Sequence, residues 1–147
     1  MEIQTLRYGT VEIEESKVLS IHDGLLGFPA HKRYVILDRC GDSPFKWFQC
    51  VDDPGLSFVI VDPREFRPAY NVQLSSQHLR DISAAEAGEV VIAAIVTLAS
   101  NIRSMTMNLQ GPLIINPRTM EAKQIVLDNT EYTTKEPVFS QEEAESM

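Results

Sequence analysis

Phe45-Lys46-Trp47-Phe48-Gln49-Cys50-Val51-Asp52-Asp53-Pro54-Gly55-Leu56-Ser57-Phe58-Val59-Ile60-Val61-Asp62-Pro63 is the stretch whose reading decides the fold. Two short runs rich in aromatic and β-branched residues flank Asp52-Asp53-Pro54-Gly55. Proline presets φ at the first central position of a turn, and glycine accepts the positive φ that a type II turn needs at the second. The stretch therefore reads as a β-hairpin. Because strand side chains alternate, Phe45, Trp47 and Val51 point one way and Phe48 and Cys50 the other. Leu56, Phe58 and Ile60 oppose Val59 and Val61 in the same manner. Apolar residues on both faces place the hairpin inside the fold, not at its rim. It holds the only tryptophan and three of the six phenylalanines, and is the expected core.

On the N-terminal side, Ile3-Gln4-Thr5-Leu6, Thr10-Val11-Glu12-Ile13 and Val18-Leu19-Ser20-Ile21 are short alternating runs separated by Tyr8-Gly9 and Glu15-Ser16. Regular short strands with turn signals indicate an antiparallel meander. Gly24-Leu25-Leu26-Gly27-Phe28-Pro29 breaks the period, and Tyr34-Val35-Ile36-Leu37-Asp38 restores it. On the C-terminal side, Pro63 and Pro68 cannot donate ladder hydrogen bonds, so residues 63–74 read as loop or irregular edge. Ser75 to Ile82 carries one or two helical turns, with either serine able to cap and with Leu79 and Ile82 on one face. Glu89 to Leu98 is a β-branched apolar run that predicts a central strand. Met105 to Gln110, Leu113 to Asn116 and Gln124 to Leu127 complete about nine strands. So many strands with little helix predict a mostly β chain, a small antiparallel β-barrel-like domain that removes its edges by curling.

At 147 residues the expectation is one domain with a core of its own. From about Thr133 periodicity is lost, which divides the chain into a domain over 1–132 and an acidic, flexible tail over 133–147. Asp128, Glu131, Glu136, Glu142, Glu143 and Glu145 against Lys135 put −5 of the net −8 into residues 128–147. An acidic balance argues against direct nucleic-acid binding, since phosphate contacts need clustered Lys or Arg. It suits a basic protein partner or simple solubility. No run approaches the roughly 18 apolar residues of a membrane span. No secretory signal is visible at Met1-Glu2-Ile3-Gln4-Thr5, so the expected location is the cytoplasm.

Chemistry is sparse. Cys40 and Cys50 show no metal-ligand spacing and read as small apolar residues. A thiol enzyme using Cys50 or Cys40 with His22, His31 or His78 is one alternative, without a local nucleophile pattern to support it. Asp52 and Asp53 are adjacent, and neighbouring strand positions face opposite ways, which suits a turn better than paired acid–base work. Gly24-Leu25-Leu26-Gly27 lacks the Lys-Ser/Thr of a phosphate loop. No cofactor or metal site is indicated. The chain reads as a binding module, with a structural oligomerising β module as a further alternative.

With those residues in view, the sequence resembles FliW, the bacterial flagellar assembly factor family. Tyr8-Gly9-Thr10-Val11-Glu12-Ile13 resembles the family's opening segment, and Gly24-Leu25-Leu26-Gly27-Phe28 its early G-x-x-G-F element. Residues 45–54 and 58–63 resemble its central W-x-Q…D-P…F…V-x-D-P block, with Phe48 and Cys50 replacing the expected leucine and small polar residue. Asn108-Leu109-Gln110-Gly111-Pro112-Leu113-Ile114-Ile115-Asn116 and Gln124-Ile125-Val126-Leu127 resemble its closing segments. The ordered set is specific where each piece is weak. The resemblance implies a small β-barrel without catalytic activity that binds flagellin and, when free of it, the translational repressor CsrA. It also implies that flagellin export frees the factor to capture CsrA and relieve repression of flagellin synthesis. For an amphipathic flagellin terminus the candidate anchors are Phe28, Phe66, Tyr70 and Leu74, which fall in loops. For CsrA the candidates are Asp52, Asp53, Asp62 and Asn108, at turns or polar strand faces.

Overall fold

The hairpin forms as the sequence indicates, and the rest of the chain wraps around it. The computed structural model of the chain describes residues 1–38, 41–128 and 131–139. Eleven strands lie among them: β1 (Glu2–Thr5), β2 (Gly9–Glu12), β3 (Leu19–Ile21), β4 (Arg33–Leu37), β5 (Lys46–Cys50), β6 (Ser57–Val61), β7 (Val91–Thr97), β8 (Thr106–Met107), β9 (Leu113–Asn116), β10 (Glu121–Gln124) and β11 (Glu136–Pro137). The helix α1 (Ser76–Asp81) follows β6. Its N-cap is Ser75, whose hydroxyl accepts from His78 N–H at 3.1 Å while His78 Nδ1 accepts from Ser75 N–H at 3.1 Å. This reciprocal pairing satisfies two amides that a helix start leaves without partners.

Seven strands close a barrel in the order β7-β6-β5-β4-β3-β10-β9, and β9 returns to β7. Closure depends on the length of β7. Its first half, Val91–Ala93, pairs with β9, and its later residues Ala94–Val96 pair with β6. Val96 and Thr97 also pair with β8, which carries β11 beside it. The barrel is antiparallel except at β3–β10, where Ser20 and Ile21 run parallel to Glu121 and Ala122.

One buried cluster receives residues from all seven barrel strands and is therefore the barrel interior. It contains Leu19 and Ile21 (β3), Tyr34 (β4), Phe48 and Cys50 (β5), Ile60 (β6), Ala93 (β7), Leu113 and Ile115 (β9) and Ala122 (β10). Tyr34 and Phe48 stack with their ring centroids 4.7 Å apart and planes 3° from parallel. The outer face is covered twice. Val35 and Leu37 of β4 take the β1–β2 hairpin through Ile3, Val11 and Ile13. Val59, Val61, Ile92, Val96 and Ile114 take the excursion between β6 and β7 together with Met105, Met107, Leu109 and Val138. Trp47 touches both coverings. That double covering is why β5 and β6 are apolar on both faces, and at roughly 25 cal/mol per Å2 of apolar surface it supplies the main stabilisation of the fold.

Three expectations need correction. The β5–β6 turn is not type II: Leu56 N–H reaches Asp53 C=O at 3.1 Å with Gly55 outside the positive-φ region. Asp53 Oδ1 accepts Gly55 N–H at 3.0 Å, and this side-chain bond sets the turn instead. The strand expected over Gln124–Leu127 lies over Glu121–Gln124. Ile125 and Leu127 remain buried, bonded through their amides to Pro112 and Gln110 carbonyls. Packing also runs past the expected boundary at Thr133. β11 pairs with β8, Val138 is buried, and Arg67 Nε donates to Glu136 Oε1 at 3.1 Å. Residues 140–147 of the expected tail lie outside the described residues, as does Cys40.

Candidate functional site

The expected site residues fall into three places. At one end of the barrel, the loop between β3 and β4 meets the β5–β6 turn, and Phe28, Asp52 and Asp53 come together there. Phe28 sets its ring edge-on to Phe58 at 5.5 Å. Asp52 pairs with Arg33, whose Nε donates to Oδ2 at 3.1 Å and whose second nitrogen donates to Oδ1. That guanidinium holds the Asp52 carboxyl below the usual carboxylate range. Asp53 Oδ2 lies 3.4 Å from His31 Nε2.

Asn108 reaches the same end through Gln124. Its Oδ1 accepts Gln110 and Gly111 N–H groups at 3.1 and 2.8 Å. Gln124 Nε2 donates to Gly111 C=O at 2.9 Å, and Gln124 Oε1 accepts Leu26 N–H at 2.8 Å. Asn108 is thus a turn-former whose side-chain oxygen is occupied. Asp62 stands at the opposite end of β6, where its Oδ1 accepts Arg64 N–H at 2.9 Å and caps a 3-10 turn over Pro63–Glu65.

Phe66, Tyr70 and Leu74 lie on the barrel's side. Phe66 is half-buried, stacked on Phe45 at 5.8 Å and edge-on to Phe139 at 5.7 Å. Leu74 is half-buried against the outer cluster. Tyr70 is a correction: it is buried, and its hydroxyl donates to Leu109 C=O at 2.7 Å. A loop position suggested an accessible anchor, but the hydroxyl–carbonyl bond draws the ring into the core.

Two residues at the first end were not singled out by the sequence reading. Leu26 is 60% exposed and Leu6 81% exposed, beside Phe28 at 37%. Leu6 N–H donates to Pro54 C=O at 3.0 Å, joining the β1–β2 tip to the β5–β6 turn. The signal for Leu26 was present in Gly24-Leu25-Leu26-Gly27, because two adjacent leucines in a tight turn cannot both face inward. Leu25 is buried and Leu26 is not. The loop holds this shape because Gly24 adopts φ +65°, and a Cβ there would lie 2.4 Å from Phe28 O. A second fastening is buried Gln49, whose Nε2 lies within 3.3 Å of the Cys50, Asp53, Pro54 and Leu56 carbonyls. The end therefore presents apolar side chains and two carboxylates on backbone that is already fixed, which lowers the ordering cost of binding.

The thiol alternative gains nothing at Cys50. The residue is buried in the barrel, and desolvation pushes its thiol up, away from the thiolate a nucleophile needs. Of the histidines, His22 Nε2 lies 3.2 Å from Glu121, His31 Nε2 lies 3.4 Å from Asp53 Oδ2, and His78 caps α1. No helix among the described residues is long and apolar enough to cross a membrane.

The family model described as "FliW protein" matches residues 2–138. The chain belongs to the FliW family. It is 43% identical over 141 residues to the flagellar assembly factor FliW of Geobacter sulfurreducens, covering 96% of this chain and 88% of that one. The FliW of Natranaerobius thermophilus is 40% identical over 141 residues, covering 95% of this chain and 93% of the relative. A crystal structure of the flagellar assembly factor FliW superposes with a TM-score of 0.89 at 32% identity, covering 96% of this chain and 99% of the other. The seven-stranded barrel with its covering segments is accordingly the FliW fold, and flagellar assembly is the process in which the family acts.

Proposed function

We propose that this FliW-family chain binds flagellin in the cytoplasm and, once flagellin leaves, sequesters CsrA and so relieves repression of flagellin synthesis. It acts by occupancy, without making or breaking covalent bonds. The observation that carries this reading is the turn end: Leu26 and Phe28 stand exposed on a loop fixed by Gly24, with Asp52 and Asp53 beside them. Apolar anchors on rigid backbone suit an amphipathic flagellin terminus, with half-buried Phe66 and Leu74 as further contacts. Asp52 and Asp53 at the turn end, and Asp62 at the opposite end of β6, offer negative charge to basic CsrA, and Asn108 supports a turn at the first of these ends. Competition between partners is a coupling between sites, which needs shared or linked surfaces and no reaction.

Co-purification with flagellin at micromolar concentration tests the first half, and the absence of a complex counts against it. Asp52→Lys combined with Asp62→Lys tests the second. Affinity for CsrA falls, and its dependence on salt becomes shallower. Unchanged affinity removes these carboxylates from the interface.

A further inference from the structure

The side chains that fill the barrel at its turn end leave it open at the other. Tyr34, Phe48 and Phe58 crowd three rings into the interior near the β5–β6 turn. Two residues further along the same inward faces stand Ile36 on β4, Lys46 on β5 and Ile60 on β6, and none is aromatic. Val91 shares the inward face of β7 with Ala93. Inward positions of a closed barrel are ordinarily filled, yet Ile36 is 36% and Val91 50% exposed. A cleft of about 550 Å3 opens there, walled by Ile36, Ile60, Val91, Ala93, Ile115 and Pro44.

The polar side chains that line this mouth are Asp42, Ser43, Asp62, Glu65 and Lys46, the last from the inward face of β5. Lys46 Nζ lies 3.1 Å from Asp38, which offsets its charge and, among the described lining residues, leaves the carboxylates of Asp42, Asp62 and Glu65 in excess. Among the described lining residues the one uncharged polar side chain is Ser43, whose Oγ accepts Phe45 N–H at 3.1 Å, so the wall is poor in groups that would orient a small polar ligand. An apolar pocket with a rim of one sign complements an apolar side chain flanked by the opposite charge.

We infer that the barrel mouth is a docking pocket for an apolar anchor on a cationic amphipathic segment of a partner protein. The inference rests on the reading that this chain works by binding macromolecules. It adds a second surface, at the end of β4, β5 and β6 opposite the Leu26–Phe28 turn.

The test uses the full chain labelled with 15N and a synthetic amphipathic helix bearing leucines on one face and lysines on the other. Saturable amide shifts are expected at Ile36, Ile60, Val91, Ala93 and Ile115. The affinity is expected to fall about tenfold or more in Val91→Asp, because a carboxylate in an apolar pocket is desolvated on binding. It is also expected to fall in Glu65→Lys and with added salt. Glu65 is exposed, so its variant reports on binding even where Val91→Asp fails to fold. The proposal is overturned by shifts confined to residues 24–31, or by equal binding of the same helix with glutamates in place of lysines. It is also overturned by unchanged affinity in folded Val91→Asp and Glu65→Lys, or by a dimer in solution that covers the mouth. Equally tight saturation of the mouth by octanol makes it a small-ligand pocket and overturns the partner assignment. Flagellin capture that survives while the lysine helix fails to bind removes the mouth alone and leaves the turn-end reading standing.

Discussion

The same substitution, tyrosine to phenylalanine, is expected to change stability in opposite directions at two positions. Tyr34 and Tyr70 are both buried. Tyr70 donates its hydroxyl to Leu109 C=O at 2.7 Å, and Leu109 is itself buried. Tyr70→Phe strands that carbonyl away from water, a loss of about 1–3 kcal/mol. Tyr34 Oη is buried with no hydrogen-bond partner among the described residues. Removing it relieves a desolvated hydroxyl and keeps the stack on Phe48 at 4.7 Å, so Tyr34→Phe is expected to be neutral or stabilising by up to about 1–3 kcal/mol. Equilibrium urea unfolding of both variants at matched m values reads the difference, with midpoints moving about 2–4 °C per kcal/mol in parallel thermal scans. Comparable destabilisation by both variants would refute the reasoning, because it would mean that Tyr34 Oη is satisfied in the folded protein.

Stability is expected to fall steeply in alkali. Burial raises the ionisation of Tyr34, Tyr70 and Cys50 above their ordinary values. The unfolded chain therefore releases protons that the folded chain retains, and each group weakens the fold by up to about 1.4 kcal/mol per pH unit above roughly pH 9–10. A urea series from pH 8 to 11 measures it, and a flat profile contradicts the burial of these groups. At the acid end, Asp81 and Glu121 are held below their ordinary values by bonds from Lys123 and from Ser83, respectively. Their contribution is present above about pH 4 and is lost as pH falls through their folded values. Gly24→Ala and Gly9→Ala form a matched pair, with φ of +65° and +68°. Both incur the left-handed penalty of about 1–2 kcal/mol, but only at Gly24 does the new Cβ meet backbone, Phe28 O at 2.4 Å and Pro29 Cα at 2.8 Å. Gly24→Ala is therefore expected to unfold at distinctly lower urea and to weaken partner capture, and equal midpoints for the pair contradict it.

How far the sequence carried this reading depends on what alternation reports. Met105, Met107 and Leu109 are all buried on one side, as their spacing indicates, yet only Thr106 and Met107 form a ladder. Alternation reveals which way side chains face, while the turn at Asn108 decides where pairing stops. The same holds for Ile125 and Leu127, which face inward beyond the end of β10. β10 itself, Glu-Ala-Lys-Gln, carries no apolar signal because only Ala122 enters the interior. Val138 lies in a segment without periodicity, and its place follows from long-range contacts: its N–H donates to Met105 C=O at 3.0 Å, and Arg67 bonds to Glu136 across 69 positions. At the turn end, Phe28, Asp52 and Asp53 were legible as loop residues. Leu6 and Leu26 were not, since exposure follows from how three separate turns meet.

The central claim is that this chain works by being occupied by one macromolecule and then by another. Titrating flagellin into a preformed complex of the chain with CsrA, followed by size-exclusion chromatography with light scattering, tests it most directly. Stoichiometric release of CsrA as flagellin is added is the predicted result. A CsrA complex that remains intact at saturating flagellin, or a chain that captures neither protein, contradicts the account.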